Sequence, residues 1–167
     1  MADITCYGKA VQLLASSPHF RRELQTKLTQ RGFPSEEISE ALDRLVQQGY
    51  LDDARTAVAF VEQRLSRGTE GRLRLQAELE KRGAPREAIE AALASLVPED
   101  DLEPAREAAE RWARLHPRGK PASLAQHLAR KGFSRRAIFA VLRQRPGAEG
   151  AGEEEDAGLD GFDSFEE

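Results

Sequence analysis

The sequence has little of what a disulfide, a membrane span or a secretion signal would require. Cys6 is the single cysteine among 167 residues, which excludes an intrachain disulfide and agrees with a reducing cytosol. No apolar run comes near the roughly 20 residues of a membrane-spanning helix, and the N-terminus has no signal-peptide pattern. We therefore expect a cytoplasmic protein with no membrane partner.

Residue sets that would support catalysis are missing as well. Cys6 has no general base beside it in sequence, and no phosphate-binding loop leads from a strand into a helix. The histidines do not stand at metal-ligand spacing, and the one that directly precedes a core leucine is expected to be exposed. We predict no enzyme activity, no metal and no cofactor. The three histidines are His19, His116 and His127.

Acidic and basic residues are separated along the chain. Residues 147–167 contain nine acidic residues and no basic one, so residues 1–146 hold all 25 basic residues against 20 acidic ones. This part carries +5, although the whole chain carries −4. Within residues 111–145 there are ten Arg or Lys and no Asp or Glu. Such asymmetry indicates an acidic or polyanionic partner.

One segment recurs three times at intervals of about 50 residues, which is typical of a stacked repeat. Two leucines four residues apart share one face of a helix, and the glycine after them is suited to ending that helix. An apolar stripe then predicts a second helix that packs back on the first. Each copy is therefore a helix-turn-helix hairpin. The matching positions are Leu24, Leu28, Gly32, Ile38 and Leu42, then Leu75, Leu79, Gly83, Ile89 and Leu93, then Leu124, Leu128, Gly132, Ile138 and Leu142.

A further amphipathic helix precedes each hairpin. The second of these ends at Gly68 and Gly71, a Gly-x-x-Gly that could approach a phosphate, although a hinge between helices is favoured. In the third, Trp112 is interpreted as a core anchor and not as a base-stacking platform. The residues expected to face inward are Tyr7, Ala10, Val11 and Leu14, then Val58, Val61 and Leu65, then Ala105, Ala108, Trp112 and Leu115.

Several residues are expected to end or begin helices. Ser35 is the predicted N-cap of the second helix of the first hairpin. Gly49 is suited to ending that helix, and Leu51 is suited to packing at the junction. Asp52 or Asp53 is suited to capping the next helix. The paired aspartates could also be metal ligands, but no third carboxylate or histidine stands at ligand spacing, so the sequence favours caps.

With these residues in view, the chain resembles the RecX family of bacterial regulators of the RecA recombinase. The resemblance covers roughly residues 7–145. It lies in the motif GYLDD, in the helix that follows it, and in the repeated Leu-x-x-x-Leu-x-x-Arg/Lys-Gly hairpin. The motif residues are Gly49, Tyr50, Leu51, Asp52 and Asp53, followed by Arg64 and Gly68.

The resemblance implies an all-α protein of tandem three-helix repeats with no enzyme activity. It also implies binding in the groove of RecA filaments on single-stranded DNA, which limits their growth and activity in homologous recombination, DNA repair and the SOS response. We predict an elongated array of repeats at residues 1–48, 49–99 and 100–146, a disordered acidic tail at 147–167, and a monomeric chain.

The sequence departs from the family pattern in two places. Residues 97–102 lack the Gly-Tyr pair, although Asp101 is still expected to cap the third repeat's first helix, with Pro104 in its first turn. The acidic tail is the second departure, and the resemblance implies nothing about it.

The third repeat is the predicted contact surface. Arg135 and Arg136 stand where the first copy has Ser35 and Glu36. Each cation at a helix N-terminus costs about 0.3 to 1 kcal/mol, so their presence points to a binding role, against a merely solvated arginine-rich face. The predicted contacts with RecA or with DNA phosphate are Arg130, Lys131, Arg135, Arg136, Arg143 and Arg145.

Two other functions fit parts of the sequence. Gly132, Ile138 and Val141 have the spacing of a DNA-binding helix-turn-helix, with the arginines opening the recognition helix. In the first copy the same template would place Glu36 against DNA, where phosphate repels it, so we read the hairpin as a structural unit. A helical-repeat adaptor for another protein is excluded only through the RecX resemblance.

The acidic tail has two interpretations. Its composition is typical of a disordered, solubilising extension. However, Leu159, Phe162 and Phe165 recur every three residues among acidic ones. We therefore hypothesise weak autoinhibition, in which the tail folds back on Arg135 and Arg136 and competes with a polyanionic partner.

Overall fold

The computed structural model describes residues 5–96 and 101–144, and within these ranges it contains nine α-helices and no strand. They form three successive groups of three, and the first two helices of each group pack on the third. The prediction of an all-α chain of tandem three-helix repeats is confirmed. The helices are α1 (Cys6–Ser16), α2 (Arg21–Thr29), α3 (Ser35–Gln47), α4 (Asp53–Arg67), α5 (Arg72–Lys81), α6 (Arg86–Ala92), α7 (Leu102–Leu115), α8 (Pro121–Arg130) and α9 (Arg135–Arg143).

Each repeat has its own apolar core, and the repeated leucines lie at its centre. Leu28, Leu79 and Leu128 are all fully buried at the equivalent place in the three cores. Trp112 is buried in the third core, as predicted. The predicted register of the repeat is therefore confirmed, because one sequence position fills the same space three times.

The hairpin turns depend on their glycines. Gly32, Gly83 and Gly132 have φ values of 85°, 79° and 81°, in the left-handed region that favours glycine. In each case the amide after the glycine donates back to the buried leucine's carbonyl, which closes the helix end. These bonds are Phe33 N to Leu28 O (3.4 Å), Ala84 N to Leu79 O (3.0 Å) and Phe133 N to Leu128 O (3.3 Å).

The first and second repeats are joined by side chains that cross from one to the other. Phe20, which directly precedes α2, is fully buried in the core of the second repeat. Arg82 forms a bidentate pair with Glu23 at 2.9 and 3.0 Å, and its guanidinium lies 4.9 Å from the centre of the Phe20 ring. Burial tends to raise the pKa of Glu23, but hydrogen bonds from Arg82 and from the Phe20 N–H outweigh it and lower that pKa.

The second and third repeats are joined by backbone contacts. The Gly71 N–H donates to the carbonyl of Lys131 at 2.8 Å, and Leu73 N–H donates to that of Gly132 at 3.3 Å. A Cβ added at Gly71 would lie only 2.0 Å from the Gly132 oxygen. Position 71 therefore has no room for a side chain. We call this backbone contact between the second and third repeats the second joint.

The predicted caps are partly confirmed and partly wrong. Asp52 is the N-cap of α4, and its side chain accepts from the Arg55 N–H at 2.9 Å. Asp53 instead accepts from the Arg21 N–H at 2.8 Å, so it caps α2 of the preceding repeat. Ser35 is not an N-cap, because the extended Pro34 takes that position and Ser35 becomes the first helical residue.

In the third repeat, an aspartate again accepts a hydrogen bond from the start of a helix other than its own. Asp101 occupies the N-cap position of α7, as predicted, but its side chain makes no hydrogen bond to that helix. Its carboxylate accepts instead from the Ser134 N–H at 3.1 Å, at the start of α9. Burial raises the pKa of Asp101, and the hydrogen bonds from Ser134 only partly offset that rise.

Some residues predicted to face inward are exposed. Leu65 and Leu115 lie in the last turns of α4 and α7, which at about 1.5 Å per residue extend beyond the shorter hairpin helices they pack on. Val58 is also exposed, because Ala57 and Val61 are the positions of α4 that face Phe20. Val11 on α1 is exposed, next to the buried Ala10. The predicted stripes are therefore too long at the ends of α4 and α7, and they include one wrong position each in α1 and α4.

Candidate partner-binding surface

The turn between α8 and α9 gathers four cations. Arg130 is the last residue of α8 and Lys131 its C-cap, while Arg135 and Arg136 open α9. The leucines of α8 and Ile138 of α9 are buried in the third core, and so is Phe133 of the turn, whereas Arg130, Arg135 and Arg136 on either side of it are exposed. We call Arg130, Lys131, Arg135 and Arg136 the basic turn.

None of these four cations forms a salt bridge with a carboxylate in residues 5–96 and 101–144. Arg130, Arg135 and Arg136 are also exposed. Elsewhere, two exposed arginines do form such pairs, Arg86 with Glu90 at 2.7 Å and Arg111 with Glu107 at 3.0 Å. The basic turn therefore presents uncompensated positive charge to an incoming anion.

Lys131 differs from the arginines because it also holds the second joint. It is half-buried, and its Nζ donates to the carbonyl of Thr69 at 3.3 Å. Arg74 of α5 donates to the neighbouring Arg130 carbonyl at 3.0 Å. The basic turn is thus fixed in position by the second repeat as well as by its own helices.

Two predicted contact residues stand apart from the basic turn. Arg143 is exposed at the opposite end of α9, about 12 Å from Arg135 along the helix axis. Arg145 and the tail at 147–167 lie outside the described residues. The structure therefore brings together four of the six predicted contact residues.

Beside the basic turn lies a cleft that the sequence did not lead us to expect. It has a volume of about 330 Å³ and lies between the end of α7, the end of α8 and Thr69. His127 lines it and is half-buried, so its predicted exposure is wrong. The sequence did contain one indication of this cleft, because Trp112 and His116 are four residues apart and therefore share one helix face. The lining residues are Thr69, Ala108, Arg111, Trp112, Leu115, His116, His127, Arg130 and Lys131.

The cleft carries a positive potential. The pKa of His127 is lowered by burial first, and then by the charges of Lys131, Arg130 and His116. These influences favour the neutral form of the His127 ring. The positive charge of the cleft comes from its lysine and arginines, and not from this ring.

The GYLDD motif forms the entry to the second repeat. Gly49 has a φ of 72° and ends α3, while Leu51 is buried in the first core. Asp52 and Asp53 cap α4 and α2 as described above. Tyr50 is 65% exposed, so it is the member of the motif that is free for an external contact.

The described residues contain no cluster of three or more metal-ligating side chains, and none of their helices has the length and apolarity to cross a bilayer. What they present is a row of helical repeats with a basic turn. These features define a class of protein, namely an all-α repeat protein with an exposed cationic surface.

Comparison with known proteins identifies the family. The model of the first three-helix domain of RecX matches residues 6–45, and that of the second matches residues 52–93. The regulatory protein RecX of Chlorobaculum tepidum is 35% identical over 145 residues, which cover 85% of this chain and 89% of that protein. The chain belongs to the RecX family, a family of regulatory proteins.

Other relatives agree with this assignment. The regulatory protein RecX of Pseudomonas savastanoi is 48% identical over 84 residues, which are 50% of this chain and only 54% of that relative. The crystal structure of RecX from Lactobacillus salivarius has a TM-score of 0.72 at 22% identity and covers 83% of this chain and 92% of its own. This structural likeness supports the fold.

Proposed function

We propose that this chain binds RecA filaments on single-stranded DNA and limits their growth and activity, acting as a cytoplasmic monomer in recombination and DNA repair. Membership of a family of regulatory proteins supports the regulatory role. The observation that carries the proposed contact is the presence of two unpaired arginines, Arg135 and Arg136, at the start of α9, where the helix dipole disfavours cations.

The proposed mechanism is steric and electrostatic. Three repeats joined end to end present similar surfaces at regular intervals, which suits a partner made of identical, regularly spaced subunits. The repeats would bridge successive RecA subunits along the filament groove. The basic turn would then face acidic RecA surface or DNA phosphate, where it adds charge-assisted hydrogen bonds.

Co-sedimentation tests the proposal directly. The full chain is mixed with RecA filaments on single-stranded DNA, with the single strand alone, or with duplex DNA. We expect strong recovery with filaments and weak, salt-sensitive recovery with either naked DNA. Recovery on duplex but not on filaments would favour the helix-turn-helix regulator and contradict the proposal.

Charge reversal tests the basic turn. Replacing Arg135 and Arg136 by Glu should weaken filament binding, and the difference from the parent should shrink as salt rises. The free energy of unfolding should stay equal or rise by up to about 1 kcal/mol per position, because acidic residues suit a helix N-terminus.

A matched control separates this surface from net charge. Arg86 occupies in α6 the position that Arg135 occupies in α9, and it is also exposed. Arg86→Glu should leave filament binding close to that of the parent, whereas Arg135→Glu alone should already weaken it. Equal effects of the two single reversals would mean that the basic turn is not the contact.

A further inference from the structure

The cleft beside the basic turn combines an exposed apolar side with a cationic side. On the apolar side, Leu115 is 79% exposed and lines the cleft together with the Trp112 indole. The His116 ring stacks on that indole, with ring centres 4.7 Å apart and planes inclined by 17°. An exposed leucine beside a stacked aromatic pair favours an apolar ligand group.

The cationic side favours a negatively charged ligand. Arg111, Arg130 and Lys131 line it, and no Asp or Glu is among the described residues that do so. Arg111 is already paired with Glu107, whereas Arg130 has no salt-bridge partner within residues 5–96 and 101–144. The cleft is thus complementary to a ligand that is both apolar and acidic.

Nucleic acid meets only half of this requirement. Phosphate would suit the arginines, but the Trp112 ring is 7% exposed and is covered by His116, so it offers no open face for base stacking. Leu115 would remain in contact with water. An acidic peptide that contains large apolar side chains fits both sides of the cleft.

This chain contains such a peptide. Residues 147–167 have nine acidic residues and no basic one, and Leu159, Phe162 and Phe165 recur among them. Gln144 and Phe162 are 18 residues apart in sequence. A chain of that length without regular structure spans about 23 Å on average, at 5 to 6 Å times the square root of the residue number. The last described residues lie at one end of α9 and the cleft lies near the other, so the length of α9, about 12 Å, separates them. The span of the segment exceeds this length.

We propose that the cleft binds the segment 159–165 of the same chain, with Leu115 receiving an apolar side chain and Arg130 and Lys131 pairing with its carboxylates. Bound there, the segment covers half of the basic turn. It therefore competes with any anionic partner of that turn. The intramolecular contact does not depend on RecA.

A spin label on the segment tests this contact in the full chain. Ser164→Cys, in a Cys6→Ala background, carries a nitroxide, and the indole N–H of Trp112, the single tryptophan, is followed by NMR. We expect the Trp112 signal to lose most of its intensity at low salt. It should recover at about 1 M salt, where the screening length falls to about 3 Å.

Two variants locate the docking site. Leu115→Asp should restore the Trp112 signal, whereas Leu73→Asp, at a leucine that is 59% exposed outside the cleft, should leave the loss unchanged. If Leu115→Asp lowers the melting temperature, Arg130→Glu gives the same test from the cationic side.

Three results would overturn the proposal. One is an unchanged Trp112 signal in the labelled parent, which would leave the cleft empty of the tail. Another is a loss of the NMR signals of Arg135 and Arg136 without any loss of the Trp112 signal. This result would place the segment on the start of α9. The third is a loss seen only between separately labelled molecules, which would mean that a second copy provides the segment.

Discussion

Leu79 offers the most direct test of the repeat at the scale of a single residue. It is fully buried in the second core, so Leu79→Ala removes apolar contacts and leaves a cavity. We expect the free energy of unfolding to fall by about 2 to 5 kcal/mol, measured by urea denaturation. Leu73→Ala, at an exposed leucine of α5, should change it by less than about 0.5 kcal/mol. Equal values for the two variants would contradict the register.

The two glycines between α4 and α5 should respond differently to alanine. A Cβ at Gly71 would overlap the Gly132 carbonyl at 2.0 Å, while one at Gly68 would meet only the end of Arg111 at 4.0 Å. Gly68 has an extended backbone that any residue adopts. We expect Gly71→Ala to lower stability by about 1 to 3 kcal/mol and Gly68→Ala to lower it little, as measured by thermal melts.

His127 makes stability depend on pH in a defined direction. Its pKa in the folded chain is below the ordinary value of 6.5, so the unfolded chain binds a proton first as pH falls. The contribution of His127 to the free energy of unfolding should therefore decrease as pH falls from 6.5 to the folded pKa. Above pH 6.5 this contribution should stay constant. His127→Gln should remove this part of the slope in denaturation measured at a series of pH values, and an unchanged slope would contradict the assignment.

At the scale of helices, Asp52 and Asp53 cap two different elements from adjacent positions. Asp52 bonds to α4 and Asp53 to α2, so we expect loss of either to cost about 1 kcal/mol and loss of both about 2 kcal/mol. Hydrogen exchange should localise the first effect to α4 and the second to the start of α2. Magnesium or calcium should leave the melting temperature of the parent unchanged, and a clear increase would support the metal-ligand interpretation instead.

The amphipathic stripes of the hairpins were predictable from sequence because a periodic pattern is a local property. Ile38 and Leu42 are buried as their spacing indicates. The ends of the stripes were not predictable in this way. Whether Leu65 and Leu115 are covered depends on how far α6 extends beside α4 and how far α8 and α9 extend beside α7, and a local pattern does not contain that information.

At the scale of the whole molecule, the repeats could be predicted but their joints could not. Nothing in its local sequence assigns Phe20 to the core of the following repeat, and Gly71 meets Gly132 only because the start of α5 packs against the turn between α8 and α9. The clustering of Arg130, Lys131, Arg135 and Arg136 was predictable, because a short turn brings them together. The cleft next to them was not, since it needs α7 and Thr69 as well.

Lys131 belongs both to the basic turn and to the second joint. Its carbonyl accepts from Gly71, while its side chain bonds to Thr69 and lines the cleft. A partner that binds this cation therefore also acts on the angle between the second and third repeats. Thermodynamic linkage makes the effect reciprocal, so a change in that angle alters the affinity for the partner by the same factor. For the proposed filament partner, we therefore expect affinity to depend on subunit spacing as well as on charge.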